Sequence, residues 1–234
     1  IECRFRHHYR RMLNLPDSSP VPYLFTAKTE GGAGLKSPTD EYFIQSVSNC
    51  FALLTCDSPL MHASVVSSLR HAAIHGVAIN LLPLSESVEW LNDSIDARNV
   101  HTWWNKFQIA VKELRTRHKI NIVLRAVSDT VFVMTIHQCL DQGDVRSETF
   151  LNRTKKLAAP FLRKLVSNSW LHQWKQQPRT SREAPAFASS HLSSSPIYSG
   201  YLSIPEWNFI HRARCQCLQV NSQPWIENDD EKMC

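Results

Sequence analysis

The chain has 234 residues with a formal net charge of +5, and 43% of them are hydrophobic, including 7 Trp and 10 Phe. This composition can fill the core of one or two domains and excludes a repetitive or wholly disordered polymer. No long apolar run and no secretion signal is visible, so neither a membrane span nor export is predicted. The 7 cysteines lack the spacing of a disulfide framework, which predicts reduced thiols and an intracellular location.

The basic residues are concentrated in two segments. Between Arg146 and Arg182, nine Lys or Arg stand against the single acid Glu148. The other group lies in residues 4–11, which hold four arginines and two histidines. Such clusters attract phosphate by releasing counterions, although a solvated charged face fits either segment equally well.

The chain begins with a predicted helix over residues 1–13, where apolar side chains recur at spacings of three and four. Leu15-Pro16-Asp17 ends it, because a proline disfavours helix at the residue before it. Residues 21–25 are expected to form a loop or extended segment. The glycines at 31, 32 and 34 predict a turn with positive φ, held closely against something large.

A pair of helices follows. Ser37-Pro38 and the acids after it are typical of a helix N-terminus, and the helix should reach about Cys56. Ser58-Pro59 opens another helix, which should close near His75-Gly76. Together these elements predict a small helical bundle.

The middle of the chain gives mixed signals. Residues 85–91 and 100–118 predict two further helices, and Trp103-Trp104 in the second is expected in the core rather than as a base-stacking platform. Residues 121–127 and 131–137 are β-branched and fit a pair of strands, but a helix fits either almost as well.

The last third is predicted to be mostly helical. Residues 148–174 indicate a long basic helix, kinked at Pro160. Residues 176–203 are rich in Ser and Pro, which indicates an irregular loop or linker, and a last helix should cover residues 204–218. The predicted fold class is therefore mainly α, with a possible short strand pair in the middle.

Residues 1–60 resemble part of a known family, and the motifs that carry this resemblance lie in the first 35 residues. The run Arg10-Arg11-Met12-Leu13-Asn14-Leu15-Pro16-Asp17, then Tyr23-Leu24-Phe25 and Glu30-Gly31-Gly32-Ala33-Gly34-Leu35, resembles the thumb entry of non-LTR retrotransposon reverse transcriptases. In that family a basic helix ends in a leucine-proline step and a Gly-Gly-Leu-Gly-like loop follows. Ala33 departs from this pattern.

The end of the chain resembles the same family in degraded form. Leu218-Gln219-Val220-Asn221-Ser222-Gln223-Pro224 is similar to the His-Ile-Asn-Ala-Leu-Pro linker motif of elements that carry a restriction-like endonuclease. Asn221 and Pro224 match outright. The resemblance makes Cys234 the first ligand of a zinc knuckle, whose other ligands would lie beyond this chain, since zinc takes about four.

The resemblance implies that the chain is a fragment, and both ends fit that expectation. Ile1 lies inside a patterned segment, and Cys234 ends the chain abruptly. The implied regions are a thumb-like helical bundle, a helical linker, the Ser/Pro-rich loop, and a linker helix with the start of the zinc knuckle, over residues 1–80, 81–175, 176–203 and 204–234.

The resemblance also implies that the parent protein is an RNA-directed DNA polymerase with an endonuclease, using Mg²⁺ in its palm and nuclease and Zn²⁺ in its knuckle. This chain has no aromatic-x-Asp-Asp hairpin to hold two metal ions. Asp229-Asp230 lies in an acidic run, and Pro16-Asp17 lies in a turn rather than before a nuclease strand. We therefore expect neither catalysis nor a cofactor in the fragment itself.

The implied function is binding of nucleic acid during target-primed reverse transcription in the nucleus. The expected partners are template RNA, primer DNA, target DNA and the rest of the parent polyprotein. The alternative is a non-catalytic helical interaction module from a decayed or host-adopted element, with solvated basic faces. The residues expected to contact nucleic acid are Arg4, Arg6, Arg10, Arg11, Gly31, Gly32, Gly34, Lys155, Lys156, Arg163, Lys164, Arg212, Arg214 and Asn221.

Overall fold

The computed structural model describes residues 2–74, 84–92, 102–140, 145–177 and 202–215. These residues form helices and one three-stranded sheet, which confirms the mainly α fold class. In chain order the elements are α1 (Glu2–Met12), α2 (Val21–Phe25), α3 (Pro38–Leu54), α4 (Pro59–Ile74), α5 (Leu84–Asn92), α6 (Trp103–His118), β1 (Ile120–Ala126), β2 (Phe132–Cys139), β3 (Val145–Phe150), α7 (Ala158–Lys175) and α8 (Ile204–Arg214), with 3-10 turns at Lys28–Glu30 and Asn152–Leu157.

The chain divides into two compact units. The first combines residues 1–35 with residues 170–234, and the second covers residues 36–169. Helix α7 is continuous across the boundary, so its last turns belong to the first unit. Each unit contains segments from more than one of the four regions that the resemblance implies.

The first unit is built around α2, where the sequence predicted a loop or extended segment. That prediction is wrong, because Pro22 occupies the start of a short helix, where a missing N–H costs no hydrogen bond. Tyr23, Leu24 and Phe25 are all buried. Phe25 contacts Tyr9 of α1, with ring centroids 6.3 Å apart, so α1 also packs on this core.

The start of α3 has the structure that its sequence predicts. The side chain of Ser37 accepts a hydrogen bond from the backbone N–H of Asp40, and Pro38 is the first helical residue. Of the described helices, none is by itself long and apolar enough to cross a bilayer. Helices α3 and α4, taken together to Ala73, satisfy that test only as a pair bent by 119°.

The second unit contains the sheet, and it shows that the two β-branched runs are strands. β1 and β2 are antiparallel, with Ile120 opposite Gln138 and Ala126 opposite Phe132. Alternate side chains of both strands are buried, which is the pattern of a sheet with one face on the core. Helices α5 and α6 pack against β1, and α3 packs against α6.

The prediction of one long helix over residues 148–174 is wrong in its first part. Residues 145–150 form β3, which pairs with β2 so that Phe150 lies opposite Met134. A 3-10 turn follows, and α7 begins only at Ala158. Pro160 therefore lies in the first turn of α7, where a proline is tolerated, and not at a kink in mid-helix.

The two neighbouring tryptophans differ. Trp104 is buried, as expected, but Trp103 is 56% exposed, and the prediction of a core position is wrong for it. The Ser/Pro-rich loop lies almost wholly outside the described residues, as do the predicted end of α4 at His75-Gly76 and residues 216–218 of the last predicted helix.

An ion pair joins α3 to α7 in the second unit. The guanidinium of Arg163 donates two hydrogen bonds to the carboxylate of Glu41, one of them from Nε at 3.0 Å. The amide of Gln45 donates a third at 2.8 Å. The hydrogen bond from Arg163 is the main reason that the pKa of Glu41 falls to about 2.

Replacing Glu41 with Gln should lower the free energy of unfolding at pH 7 and should have less effect at low pH. The folded-state pKa lies below the ordinary value of 4.5, so the carboxylate stabilises the fold at neutral pH and loses this effect as the pH falls toward about 2. Since the two side chains are 38% and 31% exposed, we expect about 1 kcal/mol. Urea unfolding at pH 7 and pH 3 measures it.

The matched control is Glu86→Gln, which removes an exposed acid from the first turn of α5. It should change the unfolding free energy little at either pH. An equal difference between Glu41→Gln and the wild-type chain at both pH values would contradict the role given to this pair.

Candidate nucleic-acid interface

The glycine turn has the positive φ angles that the sequence predicts, but it is packed against its own chain. Gly31 and Gly34 have φ of 87° and 69°. A Cβ atom on Gly32 would lie 2.3 Å from the carbonyl oxygen of Thr26, so only glycine fits there. The turn, which was predicted to lie against something large, therefore packs against the preceding segment of its own unit.

The backbone of this turn has no N–H left for a phosphate. Every N–H from Glu30 to Leu35 donates to a carbonyl oxygen of residues 23–28, for example Gly34 to Thr26 at 2.8 Å and Leu35 to Leu24 at 2.9 Å. A phosphate cradle needs several N–H groups that point outward. The predicted role of Gly31, Gly32 and Gly34 in approaching nucleic acid is thus replaced by an internal one.

Three of the predicted phosphate-binding arginines bind backbone carbonyls of the first unit instead. Arg10 donates to Ser19 at 2.6 Å. Arg212 donates to Asn14 at 3.0 Å, and Arg214, which is 3% exposed, donates to Gly31 at 3.0 Å. Asn14 has a φ of 51°, so its carbonyl lies just beyond α1 in a left-handed residue. These guanidinium groups fix the segment that follows the C-terminal end of α1 and the glycine turn.

A buried aromatic cluster lies beneath these contacts. The hydroxyl of Tyr23 and Nδ1 of His211 are hydrogen-bonded to each other. Trp174 and Trp207 contact this pair edge-on, with centroid distances of 5.3 Å to Tyr23 and 4.7 Å to His211. Burial lowers the pKa of His211 to about 4, and the positive charges of Arg214 and Lys28 add to the effect.

Four exposed basic or imidazole side chains of the first unit form a stripe along α1. Arg4, His7, His8 and Arg11 are all exposed, and their spacing places them on the same helical face. Nδ1 of His7 lies 3.3 Å from the carboxylate of Asp17. We call these four residues the α1 stripe. The remaining predicted residue of this helix, Arg6, is half-buried.

In the second unit the predicted basic residues fall into two kinds. Lys155 donates to the carbonyl of Thr55 at 2.6 Å, where it satisfies the C-terminal end of α3, and Arg163 is paired with Glu41. Lys156 and Lys164 are exposed. Only these last two keep the solvent-facing charge that a phosphate contact requires.

The structure also brings together residues of catalytic type that sequence reasoning missed. The carboxylate of Asp40 lies 3.1 Å from Nε2 of His118 and 3.0 Å from the guanidinium of Arg117. Nδ1 of His118 lies 3.1 Å from the hydroxyl of Ser169. Asp40, His118 and Ser169 are each 2% exposed or less, so no substrate reaches this serine in the folded chain. The cluster is a structural network, and no local sequence pattern predicts it.

Two predicted site residues, Asn221 and Cys234, lie outside the described residues, together with the linker motif and Asp229-Asp230. Among the residues that the structure does describe, no three His, Cys, Asp or Glu side chains are placed to hold a metal ion. The chain has no match among protein-family models, curated proteins or solved structures. A function for this chain is therefore inferred from its own sequence, contacts and charges.

The glycine turn can be tested by replacing Gly32 with Ala. The added Cβ would collide with the backbone of Thr26, so the turn must shift, and we expect a loss of about 2 kcal/mol or more in unfolding free energy. Ser18→Ala, at an exposed position of the first unit, is the control and should be close to neutral. A Gly32→Ala chain as stable as the wild type would contradict the packing described.

His211 makes the stability of the first unit depend on pH. Its folded-state pKa of about 4 lies below the ordinary 6.5, so the unfolded chain takes up the proton first. The free energy of unfolding should therefore fall as the pH drops from 6.5 to 4, by roughly 2–3 kcal/mol. Thermal unfolding followed by tryptophan fluorescence across this range measures the effect, since Trp207 contacts His211 and Trp174 contacts its partner Tyr23.

The comparison variant is His211→Phe, which is expected to be less stable at pH 7, because Tyr23 loses its partner, but to lack this component of the pH dependence. His8→Gln removes an exposed histidine and should keep the wild-type slope. If His211→Phe and the wild-type chain lose stability in parallel, the slope comes from other groups.

Proposed function

We propose that this chain is the thumb and linker region of a non-LTR retrotransposon reverse transcriptase, and that it binds the sugar-phosphate backbone of a template-primer duplex and of target DNA. It neither polymerises nor cleaves. The observation that supports this function best is the α1 stripe, an exposed set of cationic and imidazole side chains on one helical face. The resemblance of residues 10–35 to the thumb entry supplies the family.

The geometry of the α1 stripe suits a phosphate backbone. Arg11 lies seven positions after Arg4, which is about 10 Å along the axis of an α-helix. The two guanidinium groups can therefore contact one strand together, with His7 and His8 between them. Such contacts are sequence-independent, which is what a duplex-holding element requires.

The second unit offers a smaller exposed basic set in Arg153, Lys156 and Lys164. In the proposed function these side chains contact template RNA or target DNA. The Mg²⁺ and Zn²⁺ of the parent protein belong to its other regions in this proposal, and the only residue of this chain assigned to a metal is Cys234.

A non-catalytic interaction module remains the second candidate, and one observation favours it. Arg10, Arg212 and Arg214 hold carbonyl groups, and Lys155 and Arg163 are engaged with their own unit, so much of the basic character of the sequence has a structural use. Under this candidate the α1 stripe is a solvated face.

The double substitution Arg4→Ala and Arg11→Ala separates the two functions. If both side chains contact phosphates, affinity for an RNA–DNA duplex should fall about equally for unrelated sequences. The slope of log K against log salt should become shallower by about 2, because two fewer counterions are released. Filter binding of the 234-residue chain at several salt concentrations measures both quantities.

Arg125→Ala is the matched control, since it removes an exposed arginine from β1 in the other unit. It should leave the affinity unchanged, and neither variant should unfold more easily than the wild type. Unchanged duplex affinity in the double variant, or a chain that never binds duplex at any salt concentration, would leave the interaction module as the better description.

A further inference from the structure

The two edges of the sheet are treated differently by the fold. At the β1 edge, the side-chain amide of Asn92 donates to the carbonyl of Leu124 at 2.8 Å and accepts from its N–H at 2.9 Å. Asn92 thus makes both hydrogen bonds that a neighbouring strand would make at this residue. It blocks the middle of β1 against another strand.

The Asn92 contact also fixes which backbone groups of β3 face outward. The backbone N–H and C=O of Leu124 point away from β2, so Leu124 and Met134 are a pair without hydrogen bonds between them. The N–H and C=O of Met134 must therefore point toward β3. Phe150, Glu148 and Arg146 lie opposite Met134, Ile136 and Gln138, so these residues of β3 complete the ladder. The alternate residues Val145, Ser147 and Thr149 therefore direct their backbone groups away from the sheet.

The β3 edge is solvent-facing. Residues 146–149 are all exposed, and among the described strands β3 is the last in the order β1-β2-β3. Its sequence carries a cation and an anion on either side of Ser147, at Arg146 and Glu148. Two copies of such a strand, related by a two-fold axis through Ser147, are complementary in charge.

We propose that β3 is a self-association edge, which pairs antiparallel with β3 of a second copy of this chain, centred on Ser147. The two Ser147 residues would exchange both N–H···O bonds, and Val145 would pair in the same way with Thr149 of the second copy. This gives about six hydrogen bonds across the two-fold axis.

The register places the charges where they interact best. Arg146 falls opposite Glu148 of the second copy, twice by symmetry, in positions whose backbone groups point away from the shared edge. Directly opposed side chains are closest in such non-hydrogen-bonded pairs, and opposite charges there favour association. The three-stranded sheets of two copies become one six-stranded sheet.

This proposal is independent of nucleic-acid binding, so it is tested without nucleic acid. Sedimentation velocity of the 234-residue chain over a range of concentrations should show a reversible monomer–dimer equilibrium. Ser147→Pro should abolish it, because the lost N–H points outward and the ring blocks the approach of a second strand. The ladder to β2 does not use that N–H, so the unfolding transition should be retained. Ser147→Ala keeps the N–H and should still dimerise.

Charge reversal tests the register. Glu148→Arg places like charges opposite each other at both symmetric positions, and we expect dimer association to weaken by about ten- to thirty-fold at low salt. Arg146→Glu should do the same. The double swap of Arg146→Glu with Glu148→Arg restores opposite charges and should recover most of the association.

Several results would overturn the proposal. A chain that stays monomeric at all concentrations has no self-association edge. A dimer that survives Ser147→Pro, with the variant folded, uses another surface. Single reversals that leave the dimer unchanged, or a double swap that is weaker than either single variant, would show that Arg146 does not face Glu148 of a second copy.

Discussion

The second unit depends on one buried carboxylate. Asp40 is 2% exposed and is held by both Arg117 and His118 at the end of α6, while the other ring nitrogen of His118 contacts Ser169 on α7. A buried charge is tolerated only when it is paired, so these three helices are fixed to one another at this point. The amide of Gln138 extends the network to β2, because it donates to the backbone carbonyls of His118 and Leu165 at 3.1 and 2.9 Å.

In the first unit, arginine side chains bind polar groups of the backbone. The connections between its helices contain the carbonyl groups of Asn14, Ser19 and Gly31, and guanidinium groups from α1 and α8 donate hydrogen bonds to them. Charged donors make strong hydrogen bonds to carbonyl oxygens, which makes arginine effective in this role. This matters for function because the basic side chains fall into two groups, those that stabilise the fold and those that face solvent. The α1 stripe belongs to the second group.

The sheet adds a second kind of surface to the molecule. At the β1 edge, the side-chain amide of Asn92 makes the hydrogen bonds that a neighbouring strand would make at Leu124. At the other edge, alternate residues of β3, next to Arg146 and Glu148, direct their backbone groups away from the sheet. If two copies join at this edge, the α1 stripe is present twice in the dimer, so a nucleic acid long enough to reach both stripes would be bound with increased avidity.

The sequence by itself determined what local chemistry controls. The cap at Ser37-Pro38, the helix at α1 and the positive φ of Gly31 and Gly34 are properties of short segments, and each was predicted from them. The β-branched runs of β1 and β2 fitted a helix almost as well as a strand, so their sequence left the choice open. Tertiary structure decided the rest. Strand β3 is mostly exposed and has no apolar alternation to predict it, and α2 is helical because the core buries its three side chains. The partners of Arg10, Arg163, Arg214 and Asp40 were also decided there, since a charged side chain looks the same in the sequence whether its partner is a carbonyl, a carboxylate or water.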